Sequence, residues 1–342
     1  MARTAIILPP RESFTPEAAG AIALVVRRFA LALPGSVVLG PDAGGTFPGI
    51  AFHQATSLPR IHAVLRRLRP NVIEVHQKPR LAAWLSCLFP RARVLLVLHN
   101  DPLTMRGLKT RLERAFLLRR LHRVVCVSAY LAERYATGLS RLPEILPNPL
   151  DEAEIPPPAP KEKLILFAGR IVADKGADDF IAACALALPR LPGWSATMLG
   201  GDRFGPDSPQ TPFFLAQKAA AHAAGIAFLG PRPHGQIMAA MSRAAIVAVP
   251  SRWAEPFGLT ALEALANGAA LVTTGQGGLR EVAGQAALYV PPAAPEALAE
   301  AFIALARGAE TREALAAAGR ARAREFLTSA LTPRLQTLRD GV

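Results

Sequence analysis

The chain has 342 residues, of which 51% are hydrophobic and 19% are charged, a composition typical of a globular protein with ample core. This balance excludes a disordered chain, and 26 glycines and 31 prolines without a fixed period exclude collagen. The formal net charge is +13, and the length predicts about two domains.

The cysteines and the apolar runs bear on the compartment of the protein. Cys87, Cys126 and Cys184 form no Cys-x-x-Cys pair, which predicts neither a disulfide framework nor a zinc site and favours a reducing compartment. The apolar runs Ala21–Val26 and Val94–Leu98 are much shorter than the roughly 18 residues needed to span a bilayer. The apolar stretch near the first residue is also too short for the core of a signal peptide. We therefore expect a cytoplasmic protein.

Short apolar runs alternate with longer helical patterns, which is typical of parallel sheets covered by helices on both faces. In the first half the predicted strands are Thr4–Leu8, Val37–Leu39, Val72–Val75, Val94–Leu98 and Val124–Val127. In the second half they are Leu164–Phe167, Ser195–Leu199, Ile226–Leu229, Ile246–Val249 and Ala270–Thr273. We predict an α/β fold with two doubly wound, Rossmann-like domains.

A proline-rich stretch separates the two halves. Residues 146–160 contain six prolines, which exclude a helix and favour an extended linker. We place an N-terminal domain at residues 1–150, the linker at 151–162 and a C-terminal domain at 163–326. Since ligands of such sheets bind beyond the carboxyl ends of the strands, we expect the site in a central cleft between the domains.

The excess of positive charge lies in the first half. Residues 1–150 hold 21 basic and 8 acidic residues, whereas residues 151–342 hold 18 of each. Two segments, 60–69 and 105–123, concentrate the basic residues, and the second is predicted to be a basic amphipathic helix. Its apolar positions at helical spacing are Leu108, Leu112, Ala115 and Leu118.

Two interpretations of this charge stay open. A basic amphipathic helix can lie on an anionic membrane surface, where each Lys or Arg contributes roughly 1 kcal/mol. Alternatively, it is an ordinary surface helix whose apolar side packs on the core. Nucleic acid is not predicted as a partner, because few aromatic residues accompany the basic ones and no nucleic-acid motif is present.

The first chemical motif is FAGRIVADKG at residues 167–176. A predicted strand ends here and a helix begins near Ala177. Gly169 lets the backbone approach a ligand closely, and Arg170 and Lys175 follow, five residues apart. Cations between the end of a strand and the start of a helix can bind a diphosphate. Many surface loops, however, also contain Gly-Arg or Lys-Gly.

The second motif is PSRWAEPFGLTALEALANG at residues 250–268. Pro256 is predicted at the first position of a helix, and Asn267-Gly268 at its end. Glu255 would then lie at or just before the helix N-terminus and accept hydrogen bonds from hydroxyls. The amides of residues 257–259 would point toward an anion.

Glu263 lies on the same predicted helix, about 40° from Leu259. The predicted buried stripe of this helix consists of Leu259, Leu262, Leu265 and Ala266. A carboxylate at the edge of this stripe needs a partner, and vicinal hydroxyls would serve. The alternatives are that Glu255 stabilises the helix dipole and that Glu263 pairs with a nearby arginine.

Together, Gly169-Arg170-x4-Lys175-Gly176 and Glu255-Pro-Phe-Gly-x4-Glu263 resemble the family 4 glycosyltransferases, which are retaining GT-B enzymes with nucleotide-sugar donors. The resemblance is close over residues 160–326. Further matching elements are Phe228-Leu-Gly230, Pro250-Ser251, Ala266-x-Gly268, Gly277-Gly278-x-x-Glu281 and the proline-rich segment 291–299. The resemblance is weaker over residues 1–150, where Val127-Ser128 and Pro147-Asn148 fit best.

The resemblance implies a GT-B fold, with two Rossmann-like domains facing a central cleft. It also implies that residues 327–342 form a last helix returning to the N-terminal domain, with a break near residues 328–333.

The resemblance also implies roles for individual residues. Arg170 and Lys175 would hold the donor diphosphate, Glu255 the sugar hydroxyls and Glu263 the ribose hydroxyls. His99, after the strand Val94–Leu98, would lie beside the donor sugar; without the resemblance it is an ordinary loop histidine. The implied catalytic residues are Glu255, His99, Lys175 and Arg170. The implied donor-binding residues are Gly169, Arg170, Lys175, Gly200, Arg232, Glu255, Phe257, Gly258, Leu259 and Glu263.

The chain departs from the family pattern after the first strand, where many members carry a Gly-Gly loop. Here the strand leads into Pro9-Pro10-Arg11, and Ala18-Ala19-Gly20 is the candidate replacement, with Gly20 as the residue of the acceptor loop. The proline that usually follows the Ala-x-Gly element is absent as well.

No Asp-x-Asp motif occurs in the chain, so a metal-dependent clamp is not indicated. Arg170 and Lys175 would instead stabilise the charge of the leaving diphosphate. No cofactor is expected, since the nucleotide-sugar is a substrate. Retention would follow from front-face attack without a protein nucleophile, and Glu255 as a covalent nucleophile is the alternative.

We therefore predict a hexosyltransferase that acts on a glycan or lipid-linked acceptor in lipopolysaccharide or exopolysaccharide assembly. The basic N-terminal domain would attach it to the inner face of the plasma membrane. The alternatives are a non-catalytic protein that binds nucleotide-sugars or polyanions, and a nucleotide-sugar epimerase of similar fold.

Overall fold

The structure is a computed structural model that describes residues 3–16, 19–41, 45–202 and 210–340. The chain forms two compact units. Unit 1 comprises Met1–Asp151 and Phe326–Val342, and unit 2 comprises Glu152–Glu325. Each unit is an α/β sandwich around its own parallel sheet.

The sheet of unit 1 has the strand order β3-β2-β1-β4-β5-β6-β7. The strands are β1 Thr4–Ile7, β2 Ser36–Gly40, β3 Ala51–Gln54, β4 Val72–His76, β5 Arg93–Leu98, β6 Arg123–Cys126 and β7 Glu144–Ile145. The pairs are parallel, with Thr4 opposite both Ser36 and Val72. β2 and β3 are added on one side of β1, whereas β4 and the later strands are added on the other side. The position between β1 and β4 is therefore a topological switch point.

Helices cover both faces of this sheet. They are α1 Ala21–Ala32, α2 Leu58–Leu68, α3 Pro79–Leu88, α4 Arg111–Arg120 and α5 Ala129–Ala136. Ile6, Val26 and Phe14 belong to the core that α1 closes against the sheet. The central strands β1, β4 and β5 are almost entirely buried, as expected of a parallel sheet between helices.

Unit 2 repeats the architecture with the order β10-β9-β8-β11-β12-β13. Its strands are β8 Glu162–Ala168, β9 Ser195–Leu199, β10 Ala227–Phe228, β11 Ala244–Val249, β12 Ala270–Thr273 and β13 Ala287–Tyr289. Its helices are α6 Ala177–Ala187, α7 Pro212–Ala223, α8 His234–Arg243, α9 Leu259–Ala266, α10 Leu279–Ala283, α11 Pro295–Arg307 and α12 Ala309–Ala323. The switch point of unit 2 lies between β8 and β11.

The predicted strands are confirmed to within a few residues, and the prediction of an α/β fold with two parallel sheets is confirmed. Three strands, β3, β7 and β13, carry no sequence prediction. All three are sheet edges. Edge strands are short and partly exposed, so they lack the continuous apolar run by which buried strands are recognised.

The last helix, α13 Thr328–Asp340, belongs to unit 1. The expected break at residues 328–333 is wrong, because Pro333 lies inside the helix. Pro333 is the sixth helical residue, and the helix continues past it because both ends are anchored. Leu150 pairs with Leu327 before the helix, and Arg339 near its end forms a buried ion pair with Glu74, with 2.6 and 3.0 Å hydrogen bonds.

The predicted amphipathic helix 105–123 is wrong in its extent. Helix α4 begins only at Arg111, because Thr110 and Glu113 form a capping box in which each side chain bonds the backbone of the other. Residues 105–110 form turns instead.

The predicted apolar side of this helix is wrong as well. Arg114 is buried on the core side, whereas Leu112 is 81% exposed and Phe116 is 53% exposed. The buried guanidinium donates 2.7–3.1 Å hydrogen bonds to the carbonyl oxygens of Leu108, Lys109 and Thr137. A guanidinium whose two terminal nitrogens are hydrogen-bonded can be buried, and here its burial leaves Leu112 and Phe116 on the solvent side of the helix.

Within the described ranges, no helix is long and apolar enough to cross a membrane.

Candidate active site

Three glycine-containing loops meet at the carboxyl ends of β8, β9 and β10. The amide of Gly169 donates to the carbonyl of Leu199 at 3.0 Å, and the amide of Gly200 donates to the carbonyl of Gly230 at 2.9 Å. Gly200 has φ +143°, and a side chain there would collide with the carbonyl of Gly169. This approach requires glycine at position 200 and brings the predicted donor-binding glycines into one backbone network.

Arg170 and Arg232 lie on two of these loops. Arg170 is partly exposed and follows Gly169 directly, while Arg232 is exposed. Ile171, the next residue, is fixed by a 2.9 Å hydrogen bond from its amide to the carbonyl of Gly201. The backbone on both sides of Arg170 is therefore bonded to the loop after β9.

Lys175 ends a short 3-10 turn, Ala173–Lys175, before α6. Gly176 follows in the left-handed region at φ +68°, with its α-carbon packed against the carbonyl of Pro250. The Lys175 ammonium lies 2.5 Å from Glu255 Oε1 and 5.4 Å from the centre of the Trp253 ring. The close approach at Gly176 thus joins the loop after β8 to the loop after β11, across the switch point.

Arg252 holds these two loops together from the side. Its guanidinium donates to both carboxylate oxygens of Asp179 at 2.6 and 2.7 Å and to Asp178 at 2.8 Å. Its amide donates to the carbonyl of Asp174 at 2.9 Å. These bonds fix the position of Lys175 relative to Glu255.

Glu255 is buried, and one oxygen of its carboxylate is already engaged. Oε1 accepts a 2.6 Å hydrogen bond from the Ser251 hydroxyl in addition to the bond from Lys175. In the part of the chain that the structure describes, no donor bonds Oε2. The backbone of Glu255 forms a bridge with Gly277, and its carbonyl accepts from the Gly278 amide at 2.7 Å. A rigid backbone therefore presents a carboxylate with one oxygen available.

The predicted helix start at Pro256 is wrong. Helix α9 begins at Leu259, after Gly258 in the left-handed region at φ +107°. Glu255 is held in an extended bridge with Gly277, and residues 256–258 form the turn between this bridge and the helix. A side chain at Gly258 would lie 2.5 Å from Leu279, so this turn requires glycine for both conformation and space. Phe257 is buried within the turn.

Glu263 is buried, as its position in the helix predicts, but the expected stripe is only partly right. Leu262 and Leu265 are buried, whereas Leu259 and Ala266 are partly exposed. The His234 Nε2 atom lies 2.8 Å from Glu263 Oε1. This pair connects the first residue of α8 with the second predicted carboxylate.

In unit 1, His99 follows β5 and is buried against His76 at the end of β4. His76 Nδ1 lies 2.9 Å from His99 Nε2, with the rings stacked at a centroid distance of 5.1 Å. Burial, together with the neighbouring His76, lowers the pKa of His99 well below 6.5, against an opposing effect of Asn148. Burial and the charge of Arg339 lower the pKa of His76 to about 3. Both rings are therefore neutral at pH 7.

Gly20 lies at the N-cap of α1, and Ala18 lies outside the described residues. The Glu12 carboxylate fills the space beside Gly20 and accepts a 2.9 Å hydrogen bond from the Ala23 amide. Burial raises the pKa of Glu12, and bonds from the Ala23 and Ile22 amides oppose this. The N-terminus of α1 is therefore occupied by the Glu12 carboxylate, at the position where the Gly20 loop was predicted to contact the acceptor.

Comparison with known families decides the classification. The family model described as Glycosyl transferases group 1 matches residues 151–322, and that of Glycosyltransferase Family 4 matches residues 14–154. The chain belongs to the family 4 glycosyltransferases.

Curated relatives of this glycosyltransferase match mainly one half of it. The D-inositol 3-phosphate glycosyltransferase of Corynebacterium glutamicum is 33% identical over 180 residues, covering 52% of this chain and 43% of the relative. The glycogen synthase of Mycobacterium tuberculosis is 34% identical over 161 residues, covering 44% of this chain and 36% of the relative. The matched region is therefore less than half the length of each relative.

Solved structures show that the glycosyltransferase has the GT-B fold. Anabaena Alr3699/HepE, in complex with UDP and glucose, aligns over 100% of both chains with a TM-score of 0.80 at 17% identity. WaaG, a glycosyltransferase involved in lipopolysaccharide biosynthesis, aligns over 99% of this chain and 100% of its own, with a TM-score of 0.69 at 15% identity.

Sequence reasoning missed three side chains of the glycosyltransferase that contact predicted site residues: Ser251, His234 and His76. Ser251 stands in a quoted motif element, and its spacing of four from Glu255 was the available signal. His234 and His76 carry no signal, because each meets its partner only through tertiary packing. Among the described residues, no group of three or more His, Cys, Asp or Glu side chains is arranged to hold a metal ion.

Proposed function

We propose that this protein transfers a hexosyl group from a nucleotide-sugar donor to a glycan or lipid-linked acceptor, with retention of the anomeric configuration. The observation that supports this most strongly is the cluster of Lys175, Glu255 and Ser251 at the switch point of unit 2. Lys175 and Glu255, held 2.5 Å apart, can bind the phosphate and the sugar of a sugar diphosphate, respectively. The phosphate is anionic, and the sugar presents hydroxyl donors.

The proposed donor contacts follow from this geometry. Arg170 and Lys175 bind the diphosphate, supported by the backbone of Gly169, Gly200 and the turn 257–259. Oε2 of Glu255 accepts from sugar hydroxyls, because Oε1 is taken by Lys175 and Ser251. Glu263 binds the ribose, with Arg232 near the base.

The chemistry rests on charge. Breaking the bond between sugar and phosphate places negative charge on the leaving nucleotide and positive charge on the sugar ring. Fixed cations at the phosphate stabilise this separation more in the transition state than in the ground state, which is the requirement for catalysis. Arg170 and Lys175 supply that positive charge, so we propose transfer that needs no divalent ion.

We further propose that Glu255 does not act as a covalent nucleophile. Its Oε1 accepts two strong hydrogen bonds, and its backbone is held by residues 277–278, so the carboxylate is oriented to bind hydroxyls. Retention would then come from attack on the face that the leaving group vacates. We also propose that His99, held neutral, lies beside the donor sugar without adding a charge, while its Nε2 is engaged by His76.

The test begins with the donor. Thermal shift against UDP-, GDP- and ADP-sugars should identify one donor that raises the melting temperature by mass action. With that donor, Lys175→Ala should lower the transfer rate about 10²-fold, the effect of removing one transition-state stabilising donor. Lys163→Ala, an exposed lysine of the same unit, should leave it unchanged. Full activity in Lys175→Ala would refute the proposal.

Product analysis separates the other functions. Binding without any product, even with a panel of acceptors, would indicate a non-catalytic protein. Conversion of the donor sugar without an acceptor would indicate an epimerase. Proton NMR of the new glycosidic bond reports retention or inversion, and activity in the presence of EDTA tests independence of a divalent ion.

We also propose peripheral attachment to the inner face of the plasma membrane in polysaccharide assembly. Its support is the pair of exposed apolar side chains on α4, Leu112 and Phe116, which lie among exposed arginines such as Arg111 and Arg119. Leu112→Ser/Phe116→Ser should weaken sedimentation with anionic vesicles, while Leu186→Ser/Leu215→Ser, similarly exposed in unit 2, should not. Salt-insensitive or absent vesicle binding by the wild type would favour a soluble acceptor.

A further inference from the structure

A histidine and a glutamate of unit 2 form a pair at the N-terminal end of α8. His234 is the first residue of α8, and Glu263 is the fifth residue of α9. The Nε2 atom of His234 lies 2.8 Å from Glu263 Oε1, and the two side chains are 23% and 8% exposed. Since an ionised carboxylate only accepts hydrogen bonds, Nε2 carries the proton in this pair. The imidazole therefore donates to a buried carboxylate and orients it.

The backbone that leads to His234 is anchored and stiff. The carbonyl of Gly230 accepts a 2.9 Å hydrogen bond from the Gly200 amide, which ties this segment to the loop after β9. Two of the three residues between Gly230 and His234 are prolines, which restrict φ before the helix begins. His234 therefore reaches Glu263 from the loops that carry the candidate donor-binding residues.

The far ends of α8 and α9 are joined by a different side chain. The Lys161 ammonium donates hydrogen bonds to the carbonyls of Ser242, at 2.8 Å, and Asn267, at 2.7 Å, near the C-terminus of each helix. A cation at the C-terminus of a helix interacts favourably with the helix dipole, and here one cation serves two helices. The relative position of α8 and α9 therefore has support that is independent of His234.

Because the helices are joined elsewhere, the bond from His234 acts mainly on the side chain of Glu263. A glutamate side chain has three rotatable bonds, and fixing it costs conformational entropy. A bond within the folded protein fixes the carboxylate before a ligand arrives, so the ligand does not have to order it. A carboxylate has about four acceptor positions, so one bond from an imidazole orients it without exhausting its capacity.

Packing alone does not require this pair. The core contacts of α8 are made by Met238 and Met241, which are buried, whereas His234 is partly exposed. A buried carboxylate lowers stability unless it is hydrogen-bonded, and an apolar residue at position 263 would avoid that cost. The presence of both polar groups is explained by a ligand that donates hydrogen bonds to Glu263.

We propose that His234 is a positioning residue that holds the Glu263 carboxylate toward the ribose hydroxyls of the donor, and that it sets the preference for a ribonucleotide over a 2′-deoxyribonucleotide. The inference rests on the proposed function, in which Glu263 binds the ribose. A site that is built to hydrogen-bond a hydroxyl rejects a ligand that lacks it, because the oriented acceptor is left without its donor. Without the bond from His234, the carboxylate loses its fixed orientation and the preference falls.

The test compares dissociation constants measured by calorimetry. UDP, GDP and ADP identify the nucleotide that the wild type binds, and the matching 2′-deoxynucleoside diphosphate gives the preference. We expect the wild type to prefer the ribonucleotide about tenfold or more, the effect of one hydrogen bond to a charged group. His234→Ala should weaken binding of the ribonucleotide about fivefold or more and change binding of the deoxynucleotide less than about twofold. A wild type without a preference, or the same preference in His234→Ala, would overturn the inference.

Two variants separate the hydrogen bond from packing. His234→Gln keeps an N–H donor without the ring and should retain most of the preference. His234→Phe keeps a ring without the donor and should lose the preference as His234→Ala does. The opposite pattern would show that the ring fills space and would refute a positioning role. His222→Ala removes an exposed histidine of α7 in the same unit and should leave the preference unchanged.

A double variant places the effect on Glu263. In a Glu263→Ala background, His234→Ala should change the preference less than about twofold, because the group that it positions is absent. A further large loss in that background would mean that His234 acts elsewhere, which contradicts the inference. A wild type that shows the preference but forms no product would count against the proposed function and not against the role of His234. Absence of binding by all three ribonucleotides would refute both.

Discussion

The switch points of the two units differ in whether their charged side chains are paired. In unit 2, the loops after β8 and β11 bring Lys175 and Glu255 together, so the cation already has a partner from its own chain. In unit 1, the loop after β1 supplies Glu12 to a helix start, while the turn after β4 supplies cations that have no carboxylate partner in the described structure. Together with one cation of the segment after β5, they line one cavity and form the unpaired cluster, which consists of Lys78, Arg80 and Arg106.

The charge distribution of the sequence differs between the two halves in the same sense. The excess of basic residues lies in residues 1–150, and residues 151–342 are balanced. An internally paired site is pre-organised, because each charge holds the other in place before the substrate arrives. The cations of the unpaired cluster are instead compensated by water and mobile ions, because Arg80 and Arg106 are exposed.

The largest expected effect tests the paired site. Glu255→Gln keeps the shape but removes the charge that faces Lys175, and the donor sugar loses an anionic hydrogen-bond acceptor. We expect the transfer rate to fall about 10²–10³-fold, as measured by product formation at saturating donor. Glu310→Gln, an exposed glutamate of unit 2, is the control. A fall of less than about tenfold would mean that the paired site does not carry the reaction.

The next effect concerns a paired charge within unit 1. Arg339→Ala leaves Glu74 buried without its partner, and we expect the free energy of unfolding to fall by about 3 kcal/mol. Urea denaturation followed by circular dichroism measures this. Glu74→Leu/Arg339→Leu should recover much of the loss, since no charge remains buried.

The unpaired cluster should behave differently in the same experiment. Arg80→Gln/Arg106→Gln changes exposed residues, and we expect a change in unfolding free energy below about 0.5 kcal/mol. A destabilisation as large as that of Arg339→Ala would show that these arginines support the fold, and the contrast between the two kinds of charge would fail.

Acid should weaken unit 1 through its histidines. The unfolded chain protonates histidine near pH 6.5, whereas folded His76, with a pKa of about 3, stays neutral. Between these values the unfolded state binds more protons, so stability falls as the pH is lowered. From pH 7 to pH 5 we expect a loss of about 2 kcal/mol from His76, with a further loss in the same direction from His99, seen as faster amide hydrogen exchange in β4 and β5.

A variant identifies the source of this pH dependence. His76→Gln should show a smaller loss over the same pH range, although its stability at pH 7 can be lower. The same slope in wild type and variant would assign the effect to other groups.

The last prediction concerns the backbone behind Glu255. Gly277 has φ +61°, and a side chain there would collide with the Glu255 carbonyl. We expect Gly277→Ala to lower stability by about 1–2 kcal/mol and to weaken donor binding, both measured by thermal shift. Gly235→Ala in α8 has open space and should be neutral or stabilising by up to about 1 kcal/mol. Equal behaviour of the two variants would show that the turn is not tightly constrained.

Much of the fold was predictable because buried parallel strands have a local signal. β11 is a continuous apolar run and β5 is one after Arg93, and their prediction required no knowledge of the neighbours. The edge strand β3, with sequence AFHQ, has no such signal, because half of its surroundings are solvent. The prediction for the start of α9 was wrong for another reason. Pro256 has the residue type of a first helical position, and only the bridge between Glu255 and Gly277 shows that it lies in a loop.

The sequence alone determined the two parallel sheets, the uneven charge and the pattern Gly-Arg-x4-Lys-Gly with Glu-x7-Glu, since each depends on residue type and spacing along the chain. Only the tertiary structure decided that Arg114 is buried while Leu112 is exposed, that His234 meets Glu263, and that Lys78, Arg80 and Arg106 share a cavity. Each of these depends on which distant groups satisfy a charge. That balance of hydrogen bonds and solvent access is settled by packing, which local sequence does not encode.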